Sequence, residues 1–168
     1  MKHKKTQHIV AFLLIAVCVI FVVALFLETE HIETYNGPSV NINGRTISVD
    51  VAETPEAQRR GLSGRETLDG DAGMLFLFPE KQITGFWMKE MRFPIDIVWI
   101  SEGEVIGIEK NIDPQIGARE EELKIYFPPS AVDAVLEIYA GKADEWGIIV
   151  GDKIISYISK PQFTISSE

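Results

Sequence analysis

Apolar and polar residues follow three successive patterns along this 168-residue chain. Residues 9–27 form 19 consecutive apolar positions without charge, glycine or proline. Wound as a helix, that run reaches about 28 Å against ~30 Å of bilayer hydrocarbon, so it predicts a membrane span. After a polar, acidic stretch closing in Asn36-Gly37-Pro38, the pattern changes at Val40 to the period of two expected of half-buried strands. Val40, Ile42, Ile47, Val49 and Val51 alternate with polar residues around Asn43-Gly44, a dipeptide whose tolerance of positive φ suits a type I′ hairpin turn. A two-residue turn there pairs Val40 with Ile47 and Ile42 with Arg45.

The remaining elements follow from local signals. Thr54 to Gly61 predicts a short helix, with a capping threonine, Pro55 at its first position, Glu56 early, Arg59 and Arg60 late, and glycine as its stop. Met74 to Phe78 is apolar on both sides and predicts a central strand ended by Pro79, followed by a loop from Glu80 to Thr84. Gly85 to Lys89 predicts a strand with Phe86 and Met88 on one side and Trp87 and Lys89 on the other. Ile95 to Ile100 and Val105 to Ile108 predict a second hairpin across Ser101-Glu102-Gly103-Glu104. Residues 111–122, with acids at 120–122, read as a loop. Residues 130–141 fit either element. Ser130 and Asp133 form a helix-capping pattern before Val135, Leu136 and Tyr139, while Leu136 and Ile138 also alternate as in a strand. A one-turn helix at 143–146, stopped by Gly147, precedes a last strand at 153–158.

These patterns divide the chain into an N-terminus at 1–8, a transmembrane anchor at 9–27, a tether at 28–39, a domain at 40–158 and a tail at 159–168. Lys2, Lys4 and Lys5 precede the apolar run and Glu28, Glu30 and Glu33 follow it, which puts the N-terminus in the cytoplasm and the domain outside. The alternative is a cleaved signal peptide, but the run ends in Leu25-Phe26-Leu27, without small residues for cleavage. Beyond residue 27 there are 13 basic and 25 acidic side chains, a net of −12, which argues against nucleic acid or anionic lipid as a partner of the domain. Cys18, the one cysteine, lies in the apolar run, and His3, His8 and His31 all precede the domain. A disulfide framework is therefore excluded, and no cofactor or metal set built on cysteine or histidine is expected within it.

The blocks Arg60-Gly61-Leu62, Gly73-Met74-Leu75-Phe76, Phe86-Trp87-Met88-Lys89, Pro94-Ile95-Asp96-Ile97, Leu136-Glu137, Ala140-Gly141 and Gly151-Asp152 resemble, in order and spacing, the domain of unknown function 192 family. The resemblance runs from about Val40 to Tyr157. It implies a compact, mainly β domain, an antiparallel barrel or sandwich with one or two short helices, often exported or membrane-tethered and without an established activity. It also implies a strand at Leu136-Glu137. Two positions depart from the pattern: Glu90-Met91 where the family commonly has Asn-Thr, and Ser63 where it commonly has methionine.

Candidate chemistry centres on Arg65, Trp87, Lys89, Asp96 and Glu137, polar or aromatic residues beside apolar blocks. Lone charges there cost several kcal/mol, so two cations and two carboxylates are expected to neutralise one another, either as a structural network or as a polar pocket for a small molecule or saccharide. The leading reading is a membrane-anchored extracytoplasmic module that binds a ligand or associates with the envelope. One alternative is a carbohydrate-active hydrolase using Asp96 and Glu137; another is a protein-interaction module presenting an apolar patch. Met74, Met88 and Met91 offer thioethers to a soft ion such as Cu(I), though Met74 reads as core. No nucleophile elbow or phosphate-cradling loop is present. The oligomeric state is left open.

Overall fold

The structure, a computed structural model, describes residues 37–157; the anchor and the N-terminal and C-terminal segments of the sequence reading lie outside the described residues. Among the described residues, no helix is long and apolar enough to cross a membrane.

Strands β1 (Ser39–Ile42) and β2 (Arg45–Ala52) form the first hairpin, with Val40 opposite Ile47 and Ile42 opposite Arg45, the expected register. Asn43 and Gly44 have φ of 54° and 81°, as a type I′ turn requires. Helix α1 (Pro55–Arg60) follows, with the Thr54 hydroxyl accepting from the Ala57 N–H. The chain then enters β3 (Ala72–Gln82), parallel to β2. After β4 (Phe86–Trp87) come β5 (Ile95–Ser101) and β6 (Glu104–Ile112), the second hairpin, then a 3-10 turn at Glu120–Glu122 and β7 (Ile125–Tyr126). Strand β8 (Val132–Tyr139), helix α2 (Lys142–Glu145) and β9 (Ile154–Tyr157) complete the domain.

Seven strands make one sheet in the order β6-β5-β8-β3-β2-β1-β9, while β4 and β7 form a separate two-stranded ribbon. The sheet curls into a half-barrel whose edge strands meet at one end. There the Val105 and Ile154 N–H groups donate to Asp152 and Gly103, Gly151 donates to Val105, and Glu104 bridges Lys153. A fully antiparallel barrel or sandwich is thus not what forms. The connection through α1 returns β3 parallel to β2, as a crossover permits and a hairpin does not. Residues 132–139 are strand, as the resemblance implied. Their backbone lies between β3 and β5, where the ladder on both sides outweighs the local helical pattern.

Strand β3 also runs past Pro79, where the sequence predicted a stop. Its last partner on β2 is Phe76 opposite Ala52, and a bulge separates Leu77 from Gln82 along β8, so the proline's missing N–H disrupts no regular ladder. The strand expected over 85–89 is only Phe86–Trp87.

The central strands are buried on both faces. Inside the curl lie Val40, Ile47, Val49, Leu75, Val98, Leu136 and Ile138, closed at one end by Trp146 and Ile148. Outside lie Met74, Phe76, Ile95, Ile97, Trp99 and Val135, covered by Leu62, Met88, Met91 and Phe93. Gly73 sits where β3 and β8 approach closely: a Cβ there would lie 2.8 Å from the Glu137 carbonyl oxygen and 3.0 Å from Leu136 Cδ1. Gly73→Ala is expected to lower stability by about 1–3 kcal/mol, because backbone must shift. An unchanged denaturation midpoint would contradict that close approach.

Candidate functional site

Parity along β8 aims Glu137 at the outer face, on the side of Val135, and leaves Leu136 and Ile138 inside the curl. Glu137 pairs with Met74 of β3 and Ile97 of β5, so its side chain emerges among apolar neighbours. Helix α1 and the turn after it lie over this spot, held by Gln58, whose Nε2 donates to the Leu77 carbonyl at 2.7 Å and to Ala52 at 3.3 Å. Opposite them stands the β4–β7 ribbon. Its Phe86 ring meets Phe76 and Trp99 edge to face, at 4.9 and 5.4 Å between centroids.

Between these elements is a cavity of about 330 Å³. Leu62, Phe76, Phe86 and Met91 give it apolar walls, Trp87 and Thr84 line it from the ribbon side, Arg59 and Arg60 from α1, and Glu137 is its one acidic residue. Glu137 is only 5% exposed. Burial pushes its carboxyl up to about 8, and the nearby Arg65 guanidinium pulls in the opposite direction without reversing the effect. The carboxyl is therefore largely protonated at neutral pH, a hydrogen-bond donor as well as an acceptor.

The five candidates from the sequence do not converge into one network. Glu137 and Trp87 line the cavity together, with Trp87 39% exposed. Arg65 acts on Glu137 through space but pairs with Asp50 at 2.8 Å. The Lys89 ammonium pairs with Glu120 at 2.5 Å and lies 5.9 Å from the Trp87 ring centre. That hydrogen bond and the charge of Glu120 raise it above the ordinary lysine value, with Glu90 adding less. Lys89 lines a second hollow, of about 790 Å³, with Glu90, Arg92 and Gln115.

Asp96 lies apart from the cavity. It pairs with Ile138 across β5 and β8, one residue out of phase with Glu137, and so faces the inside of the curl. Its carboxyl oxygens accept from Asn111 N–H at 2.7 Å and Ala143 N–H at 2.9 Å, and it is 0% exposed. Asp96 and Glu137 therefore cannot flank one glycosidic bond, and the mutual neutralisation expected of the four charges is replaced by separate pairs with Asp50 and Glu120. The three methionines are buried in the outer cluster, and among the described residues no three His, Cys, Asp or Glu side chains converge as a metal site.

Sequence reading missed the contribution of α1. Arg59 and Arg60 were legible as favourable charges at a helix end, but nothing local shows that the helix lies over a buried carboxyl. It also missed that Trp87, Ile125 and Phe127 form an exposed apolar strip on one face of the ribbon. Gly85 makes their packing possible, since a Cβ there would fall 2.5 Å from Ile125 Cγ2. The unusual Glu90 has a positive φ of 56°, a conformation that asparagine adopts more readily than glutamate. Ser63 ties the turn after α1 to the segment beyond β4 by donating to the Lys89 carbonyl at 2.7 Å.

A family model described as uncharacterised ACR, domain of unknown function 192, matches residues 38–156. No curated protein matches the chain. Among solved structures, a protein of unknown function from Novosphingobium aromaticivorans DSM 12444 is 29% identical, with 70% of this chain and 83% of that one covered and a TM-score of 0.63. A protein from Sinorhizobium meliloti 1021, described as a proposed transcription regulator, is 30% identical, with 71% of this chain and 94% of that one covered and a TM-score of 0.63.

Proposed function

This chain belongs to the domain of unknown function 192 family, and within it we propose that the domain is a binding module for a small hydroxylated molecule such as a saccharide, tethered outside the cytoplasm by residues 9–27. The observation that carries this reading is the Glu137 carboxyl, 5% exposed and set in the wall of a cavity that also presents Trp87. A carboxyl reached from the cavity but shielded from bulk water can exchange a hydrogen bond with a ligand hydroxyl, worth about 0.5–1.5 kcal/mol net. Trp87 and the adjoining ribbon strip supply a flat apolar surface of the kind on which a sugar ring stacks. The tether rests on the 19-residue apolar run and the lysines before it.

The same strip favours a second reading, a surface for a protein partner, since Trp87, Ile125 and Phe127 are all exposed. Thermal unfolding of the full chain against neutral sugars and peptidoglycan fragments separates the two. A sugar at one hundred times its Kd raises stability by about 2.7 kcal/mol, a shift of several degrees. Trp87→Ala is expected to weaken that sugar roughly tenfold, ~1.4 kcal/mol. The absence of any shift with the wild-type chain would refute the saccharide reading.

A further inference from the structure

The charged groups around the cavity run against the sign of the molecule. The chain beyond residue 27 carries a net −12, yet the charged residues lining this cavity are Arg59, Arg60 and the buried Glu137. Arg59 is paired with Glu56 at 3.1 Å, while Arg60 has no ion-pair partner among the described residues. With a Debye length of about 8 Å at physiological ionic strength, distant acids are screened, and the arginines at the cavity set the local field.

We propose that the cavity selects an anionic hydroxylated ligand, a small sugar acid such as a hexuronate, whose carboxylate is held by Arg60 while a ring hydroxyl bonds to the Glu137 carboxyl. This deepens the saccharide reading and rests on it. A cavity of about 330 Å³ is at the small end of ligand sites, suited to a single ring rather than a chain. An arginine offers a carboxylate two parallel hydrogen bonds, which a neutral sugar cannot use as fully. Glu137 imposes a condition, because an ionised carboxyl in the same cavity repels the ligand's charge. The titratable or charged groups around Glu137 are Arg59 and Arg60 of α1, Arg65 of the following turn with its partner Asp50 on β2, and Tyr139 on its own strand. Strands β3 and β5 present apolar side chains beside it. Preference for the acid should therefore hold below the pH at which Glu137 ionises and fade above it.

Isothermal titration of the full chain with glucose, galactose, glucuronate and galacturonate, at pH 6.5 and pH 9, tests this. At least one uronate should bind tenfold or more tighter than its parent hexose at the lower pH. That preference should shrink severalfold at pH 9 and be lost in Arg60→Gln at both. Glu137→Gln, which cannot ionise, should keep the preference at pH 9. Equal binding of acid and hexose would overturn the anionic ligand while leaving the saccharide reading intact. A preference that survives Arg60→Gln would overturn the arginine's role. Binding by none of the four at millimolar concentrations would overturn the inference together with the reading on which it rests.

Discussion

Asp96→Ala is expected to lower the stability of the domain by about 3–5 kcal/mol, more than truncation of any exposed ion pair in it. The reason lies in what its two oxygens hold. Between Ile95 and Ile97 the β5–β6 ladder is irregular, and across from that break Asn111 has a positive φ of 54°. Its N–H donates to Asp96 Oδ1 at 2.7 Å. Helix α2 begins after Gly141, which has no side chain to cap it, and the Ala143 N–H donates instead to Asp96 Oδ2 at 2.9 Å. One fully buried side chain thus ties together the end of β6, the strand β5 and the start of α2. Alanine would strand the buried Ala143 N–H, at about 1–3 kcal/mol, free the part-buried Asn111 N–H, and leave a cavity besides. Asp96→Asn keeps the volume and one acceptor but turns an amide donor towards the other N–H, so its loss should be about half as large. Guanidinium unfolding of the full chain, followed by tryptophan fluorescence, measures both. A loss below about 1 kcal/mol for the alanine variant would show that these bonds are not what holds α2 in place.

The same residue shows how far sequence carries. Parity along β5 is readable, and it separates Asp96 from Ile95 and Ile97, but the partners of Asp96 are backbone groups 15 and 47 residues away with no side-chain signature. The charge pattern therefore groups Asp96 with Arg65, Lys89 and Glu137, whereas Lys89 finds Glu120 in a loop whose sequence has no periodicity to place it. The two hairpins were legible because their turns are local chemistry: Asn43-Gly44 and the glycine of Glu102-Gly103 accept positive φ, and in the first hairpin the register follows from the turn length. Strand β8 was not legible from its own residues. Its alternation becomes decisive only between β3 and β5, and family resemblance supplied what local propensity could not. Glu137 was identified as a buried charge, but the cavity beside it depends on where the crossover through α1 lays the helix, a long-range fact.

Glu137→Gln should reverse the usual consequence of altering a buried group and stabilise the domain at alkaline pH. The folded-state pKa is about 8, against 4.5 for an unhindered glutamate. Between those values the folded domain keeps a proton that the unfolded chain has released, so wild-type stability is highest at the acidic end of the window and falls as pH rises. The slope approaches 1.4 kcal/mol per pH unit, and the full loss above pH 8 is about 5 kcal/mol, a large share of the 5–15 kcal/mol that holds a typical domain together. Glutamine has no such titration. Near pH 5 the variant should resemble wild type, and by pH 9 it should be more stable by several kcal/mol. Parallel curves for the two proteins across pH 5–9 would mean that Glu137 is not protonated in the native state. Replacing the neighbouring guanidinium separates the contributions: Arg65→Gln removes the charge that favours ionisation, so the downward slope should extend to higher pH. A carboxyl that costs this much when ionised, at a cavity with an arginine left unpaired among the described residues, is retained at the expense of stability. That expense is accounted for if the protonated form is what receives a ligand.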